Sequence, residues 1–217
     1  MNATSPLHLT SYIAGEALES EDLLEVFNPY NGEPVGTVTM ASPADAERAM
    51  AAAVEPTESL TRYQRSQILL EARDALLKET ESFAKLIMSE SGLCMRETRY
   101  EVGRASDVLQ FASMEALRDD GQIFSCDVSP QGKQRKIFTT REPVQLALAI
   151  TPFNHPLNQV VHKLAPAVAA GVPVILKPPK RTPLTAVRLV ELLYQAGLPA
   201  NMLSVILGDN TTVIEPM

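Results

Sequence analysis

The sequence predicts an α/β protein built on a buried parallel sheet, and three observations lead there. Leu146–Ile150 is a continuous apolar run, the pattern of a strand covered on both faces. A polar turn, Thr151-Pro152-Phe153-Asn154-His155-Pro156, interrupts it, and Leu157, Val160, Val161, Leu164 and Val168 then recur at helical spacing. Val174-Ile175-Leu176 is a second apolar run with Lys177 at its end. Strand, helix and strand in that order form a βαβ unit with parallel strands. Ligands of such sheets bind beyond the carboxyl ends of the strands. Thr151–His155 and Lys177–Lys180 leave the two strands at that end.

The local chemistry supports each piece of the unit. Pro156 suits the first turn of the helix, where a missing N–H costs nothing. Pro166 inside the pattern predicts a kink. Gly171 supplies the left-handed residue that closes a helix. Thr182-Pro183 then caps a second helix bearing Ala186, Leu189, Val190 and Leu193, and Gly197 and Pro199 stop it. Leu203–Leu207 reads as a third strand.

Ahead of the unit, Tyr12–Leu18 reads as a short hairpin turning at Ala14-Gly15-Glu16. A second hairpin turns at Asn31-Gly32, a pair that tolerates positive φ at both residues, with Val35–Val38 as its return strand. Ser42-Pro43 opens a short helix with Ala46, Ala49, Met50 and Ala53 on one face, ended by Pro56. Three more helices follow: Thr61 to Lys78, Glu81 to Ser91 stopped by Gly92, and Met95 to Asp119. The last carries Ala105, Val108, Leu109, Ala112 and Ala116 on one side. Ile123–Val128 and Arg135–Thr140 flank a turn at Pro130–Gly132 and form a polar β-hairpin.

Composition narrows the class. The 217 residues are 45% hydrophobic and 21% charged, as in globular proteins. A formal net charge of -7 argues against nucleic acid as the main partner. Cys94 and Cys126 make neither a disulfide framework nor a metal spacing, so no metal site is expected. No stretch approaches a membrane span and the N-terminus lacks a signal-peptide pattern, so the expected location is the cytoplasm.

T-P-F-N-H-P-L-N, then H-K-L-A-P-A-V-A-A-G, then V-I-L-K-P-P-K-R-T-P-L-T-A resemble the aldehyde dehydrogenase superfamily, as does E-V-F-N-P-Y-N-G-E-P-V-G-T-V earlier in the chain. I-T-P-F-N-H-P-L-N (Ile150–Asn158) and D-G-Q-I-F-S-C-D (Asp120–Asp127) are similar to its phosphonoacetaldehyde dehydrogenase branch. The resemblance covers nearly the whole chain but about the first half of a family member. It implies a truncated fold. Residues 1–120 would be strands and helices of the cofactor-binding domain, 121–142 a protruding oligomerisation hairpin, and 143–217 the first part of a Rossmann-like NAD(P)-binding domain. The catalytic domain, with the nucleophilic cysteine and general-base glutamate, would lie outside, and this chain alone would be inactive. One departure is Leu93 after Glu90-Ser91-Gly92, where the superfamily often has a lysine.

The resemblance also assigns roles. The reaction is NAD(P)-dependent oxidation of an aldehyde to an acid, with phosphonoacetaldehyde the best substrate match. Asn154 would stabilise the oxyanion; the structural alternative is a turn asparagine bonding its own backbone. Lys177 would hold the adenosine ribose, with Thr151, Pro152, Phe153, Pro178, Pro179 and Lys180 around the cofactor. Its alternative is a surface lysine. Lys180 stands where many relatives have a ribose-binding glutamate. A lysine cannot accept a hydrogen bond, and with Arg181 it would attract a 2′-phosphate, so NAD or NADP is expected. The alternative is a lysine turned to solvent. Arg104 and His155 would bind the substrate's anionic group. Their alternatives are a salt bridge to Glu101 or Asp107 for the arginine, and an N-cap or packed core residue for the histidine. Another anionic aldehyde, such as a semialdehyde or a phosphorylated aldehyde, is the alternative substrate. A non-catalytic fragment assembling with partner subunits is the alternative function. The hairpin would make a homodimer or homotetramer; a merely solvated hairpin is the other reading.

Overall fold

The computed structural model describes residues 6–55, 59–118 and 121–215. Its centre is a five-stranded sheet in the order β3 (Glu16–Ala17), β2 (Tyr12–Ile13), β10 (Leu203–Val205), β9 (Val174–Lys177) and β8 (Ala147–Ile150). The strands β8 (Ala147–Ile150), β9 (Val174–Lys177) and β10 (Leu203–Val205) run parallel, joined by α5 (Asn158–Ala170) and α6 (Leu184–Gln195). The expected βαβ unit is therefore present and repeats once. Val174, Ile175, Leu176 and Lys177 are all buried, as a central strand requires. Leu157, Val160, Val161, Leu164 and Val168 of the α5 pattern are buried too.

The N-terminal hairpin extends this sheet. β2 (Tyr12–Ile13) and β3 (Glu16–Ala17) pair across Ala14 and Gly15, both at positive φ (47° and 80°), the backbone a two-residue hairpin turn needs. β2 lies antiparallel to β10. A separate three-stranded sheet has the order β1-β5-β4, from β1 (Leu7–Leu9), β4 (Leu23–Phe27) and β5 (Pro34–Thr39). In the turn between β4 and β5 only Gly32 takes positive φ, and Asn31 does not. Asn31 instead accepts from the Glu33 N–H through its side chain.

Four helices pack against the central sheet and its crossovers: α1 (Pro43–Val54), α2 (Arg62–Lys78), α3 (Thr80–Ser91) and α4 (Met95–Ala116). Their starts are legible in the chain. Ser42 and Asp45 close a capping box on α1, and Thr61 and Gln64 close one on α2. α3 ends at Gly92, in the left-handed conformation. α4 ends at Ala116, short of the expected Asp119, which lies outside the described residues, as does Pro56. The polar hairpin, β6 (Ile123–Ser125) and β7 (Lys136–Phe138), turns through Pro130–Gly132 and is exposed along both strands. Among the described residues no helix is long and apolar enough to cross a membrane.

Four further expectations change. β8 is an edge strand, and Leu148 and Ile150 are exposed on one face, so its apolar run is covered on one side only among the described residues. Pro156 precedes the helix instead of entering its first turn, because α5 begins at Asn158 after a bend in which Gln159 N–H donates to His155 O. Thr182-Pro183 is followed by α6, but no side chain of either caps it; Thr182 donates to Phe153 O. The third strand stops at Val205, and Leu207 bridges to Met40 instead.

Candidate functional site

The carboxyl ends of β8 and β9 bring most of the sequence-identified residues together. Ile150 pairs with Lys177, and Thr151 N–H donates to Lys177 O at 3.4 Å. Thr151 is buried and its Oγ1 has no hydrogen-bond partner. Pro152, Phe153 and Asn154 follow on the exposed rim. The Arg181 guanidinium sits 4.8 Å from the Phe153 ring centroid, a cation–π contact that ties the two strand-end loops together. Pro178 is buried and Pro179 half-buried between them. The Asn154 side chain makes no hydrogen bond among the described residues, so the backbone-bonded turn asparagine is not what forms. Asn154 is exposed, and its amide carries two N–H donors.

Both strand-end lysines are partnered by the segment after β10. Lys177 Nζ donates to Asn210 Oδ1 at 2.9 Å, and Lys180 pairs with Asp209. Lys177 is 8% exposed, so it is not a surface lysine. Burial, then the charge of Lys180, push its ammonium below the ordinary lysine value, with Asp209 opposing. Lys180 is not simply turned to solvent, since Asp209 holds it. A cleft of about 400 Å³ opens beside this loop, lined by Phe27, Pro29, Glu90, Phe153, Lys180 and Arg181. A larger cavity of about 870 Å³, against α2, α4 and the far end of α5, includes none of these strand-end residues.

Two buried glutamates, neither given a role by the motifs, organise the helix starts. Glu90, at the end of α3, accepts from Leu184 N–H at 2.8 Å (Oε2) and Thr185 N–H at 3.0 Å (Oε1). Glu101, on α4, accepts from Leu157 N–H and Asn158 N–H, both at 2.9 Å through Oε1. Each is 3% exposed. The helix ends that often bind phosphate are thus already occupied by carboxylates. Burial pushes the Glu90 carboxyl up to about 7, opposed by the N–H groups it accepts from and reinforced by the Glu101 charge. The spacing of these glutamates along α3 and α4 carried no local signature of the cap, since their partners lie 94 and 56 residues downstream.

His155 Nδ1 lies 3.5 Å from the other Glu101 oxygen, and the imidazole is 45% exposed. It is therefore neither a side-chain N-cap nor a core histidine. Arg104 lies one helical turn beyond Glu101. It is exposed and, among the described residues, pairs with neither Glu101 nor Asp107. The salt-bridge alternative therefore does not form among the described residues, and Arg104 stands on an exposed position of α4.

A family model described as the aldehyde dehydrogenase family matches residues 16–217. The chain belongs to the aldehyde dehydrogenase family. It is 39% identical over 205 residues to a 3-sulfolactaldehyde dehydrogenase of Priestia aryabhattai, covering 94% of this chain and 43% of that one. It superposes with a TM-score of 0.91 and 30% identity on aldehyde dehydrogenase 21 of Physcomitrella patens in complex with its product succinate, over 96% of this chain and 44% of that one. It superposes with a TM-score of 0.88 and 32% identity on betaine aldehyde dehydrogenase of Staphylococcus aureus in complex with NAD+, over 96% and 42%. The chain thus spans less than half the length of these family members. The likeness extends to the mixed α/β fold itself, over part of the relatives' chains.

Proposed function

We propose that this chain supplies the first cofactor-binding elements and the oxyanion asparagine of an NAD(P)-dependent aldehyde dehydrogenase that oxidises an anionic aldehyde to a carboxylic acid. The observation that carries the reading is the strand-end cluster: Thr151, with an unpartnered hydroxyl, and Lys177 meet at the sheet's carboxyl edge, and Asn154 stands exposed in the turn that leaves β8. The buried, unpartnered Thr151 Oγ1 and the two uncommitted N–H donors of Lys177 suit a hydroxyl-rich ligand such as the ribose of a nicotinamide dinucleotide. The cofactor, when bound, supplies the hydride acceptor. Asn154 donates to the carbonyl oxygen as negative charge builds there, and Phe153 walls the cleft. Neither Cys94, at the exposed start of α4, nor Cys126, in the hairpin, stands at this rim. The nucleophile of this reading is a cysteine beyond the 217 residues, which releases the acid from a thioester by attack of water.

For the substrate, Arg104 and His155 favour an anionic head group, since guanidinium presents two parallel donors to a phosphonate, a sulfonate or a carboxylate alike. Phosphonoacetaldehyde, giving phosphonoacetate, is the finer reading from the motifs. The 3-sulfolactaldehyde dehydrogenase relative favours the sulfonate member of the same chemical class. A carboxylate-bearing semialdehyde is the alternative, favoured by the succinate complex. Comparing kcat/KM of the intact enzyme for phosphonoacetaldehyde, 3-sulfolactaldehyde, succinic semialdehyde and a neutral aldehyde tests this. The phosphonate or sulfonate substrate should lead, and a leading neutral aldehyde would overturn the reading. Asn154→Ala should lower kcat by roughly 10²–10³-fold.

A second reading, an assembling fragment, is favoured by the hairpin. Ile123 is 82% and Phe138 75% exposed on a two-stranded ribbon with open edges. Such a ribbon gains stability by joining another sheet. In either reading it would serve a homodimer or homotetramer.

A further inference from the structure

We infer that Glu101 is a positioning residue for His155, holding the imidazole with Nδ1 turned inward and Nε2 turned to the exposed side, where an anionic substrate group is met. The inference rests on the proposed anionic aldehyde. The argument starts from a contrast between the two buried glutamates. Glu90 caps α6 with both oxygens, one for each N–H. Glu101 caps α5 with Oε1 alone, which takes both N–H groups. Its Oε2 is buried with no hydrogen-bond partner, and His155 Nδ1 is 3.5 Å from it. A buried carboxylate oxygen without a donor is costly, and a shift of a few tenths of an ångström in the imidazole supplies one. The cap alone does not require this division of labour, because Glu90 shows the other arrangement.

The consequence follows from the shape of the ring. An imidazole facing a carboxylate through Nδ1 carries its hydrogen there, which fixes the ring's orientation and the atom it presents on its far edge. With Nδ1 against the buried Glu101 and the imidazole 45% exposed, the far edge is the part left to face solvent, next in sequence to Asn154. One carboxylate therefore fixes the backbone entering α5 and the ring just before it. Arg104, one turn along α4, is carried by the same helix. The group that aligns the histidine and the group that aligns the arginine are one rigid element.

The chain holds three histidines, His8, His155 and His162, so imidazole ¹⁵N spectra are assignable with His155→Gln as the reference. The wild-type ring should carry hydrogen on Nδ1. In Glu101→Gln the amide oxygen keeps the α5 cap while an NH2 faces His155, so the hydrogen should leave Nδ1 for Nε2. A wild-type His155 with hydrogen on Nε2 alone, or an unchanged pattern in Glu101→Gln, overturns the inference. The wild-type spectrum decides even where the variant does not fold. Glu90→Gln should leave the His155 pattern unmoved. In the intact enzyme, Glu101→Gln should reduce the kcat/KM preference for the anionic over the neutral aldehyde about tenfold, mainly through KM. An enzyme with no anionic preference to begin with would overturn the substrate reading, and the ¹⁵N pattern would still decide the role of Glu101.

Discussion

Glu90 carries its carboxyl where water does not reach, and that sets a pH dependence with a definite sign. Its folded value, about 7, lies above the ordinary 4.5. The folded chain therefore holds more protons than the unfolded chain between those values, and stability falls as pH rises through them. The contribution is fully present below about 4.5 and lost above about 7, on the order of 3 kcal/mol. Glu90→Gln should flatten this slope in urea melts between pH 5 and 8, and an unchanged slope would show that another group sets it. Asp209 offers a second residue-scale test. It partners Lys180, which would otherwise be free to meet a 2′-phosphate. Asp209→Asn should raise the NADP-to-NAD ratio of kcat/KM several-fold in the intact enzyme; no change would remove Lys180 from cofactor choice. The positions of Asn154 and Lys177 at the strand ends were legible because each follows an apolar run. Glu90 and Glu101 were not, because a carboxylate that caps a helix from another element leaves no mark beside that helix.

Helix boundaries were legible wherever the cap is local. Ser42, Thr61 and Gly92 lie within three residues of the groups they satisfy or close, and α1, α2 and α3 begin or end there. Ser42→Ala should cost about 1 kcal/mol in thermal or urea melts, since the Asp45 N–H loses its acceptor and Asp45 loses the Ser42 hydroxyl. A loss near zero would mean that Asp45, which also accepts the Ser42 N–H, carries the box alone. The starts of α5 and α6 were misread for the opposite reason. Pro156 and Pro183 are good first-turn residues, yet the acceptors that place those helices come from α4 and α3. Strand β8 was misread in burial but not in position: four apolar residues say that a strand forms, and only its neighbours decide which faces are covered.

At the scale of the molecule, the sequence predicts the parallel order of the central strands, and the way the N-terminal strands attach lies beyond it. β2 joins β10 antiparallel and β1 joins β5 parallel across long separations, and two- or three-residue strands carry too little pattern to specify a partner. The exposed apolar residues include Leu148 and Ile150 on β8, several on the hairpin, and Tyr100, Phe111 and Met114 on α4. Patches of this kind mark surfaces that meet other protein. Removing residues 123–138 should shift the intact enzyme toward monomer in light scattering, and an unchanged mass would exclude the hairpin as the joint. The two remote caps have one more consequence, for synthesis. A chain leaving the ribosome exposes Glu90 and Glu101 well before residues 157 and 184 emerge, so α3 and α4 are able to form first and offer ready acceptors to the crossover helices. A circular permutant that begins at residue 121 reverses this order. It would translate α5 and α6 ahead of the carboxylates that start them, and should give less soluble protein per round of translation although every native contact remains available.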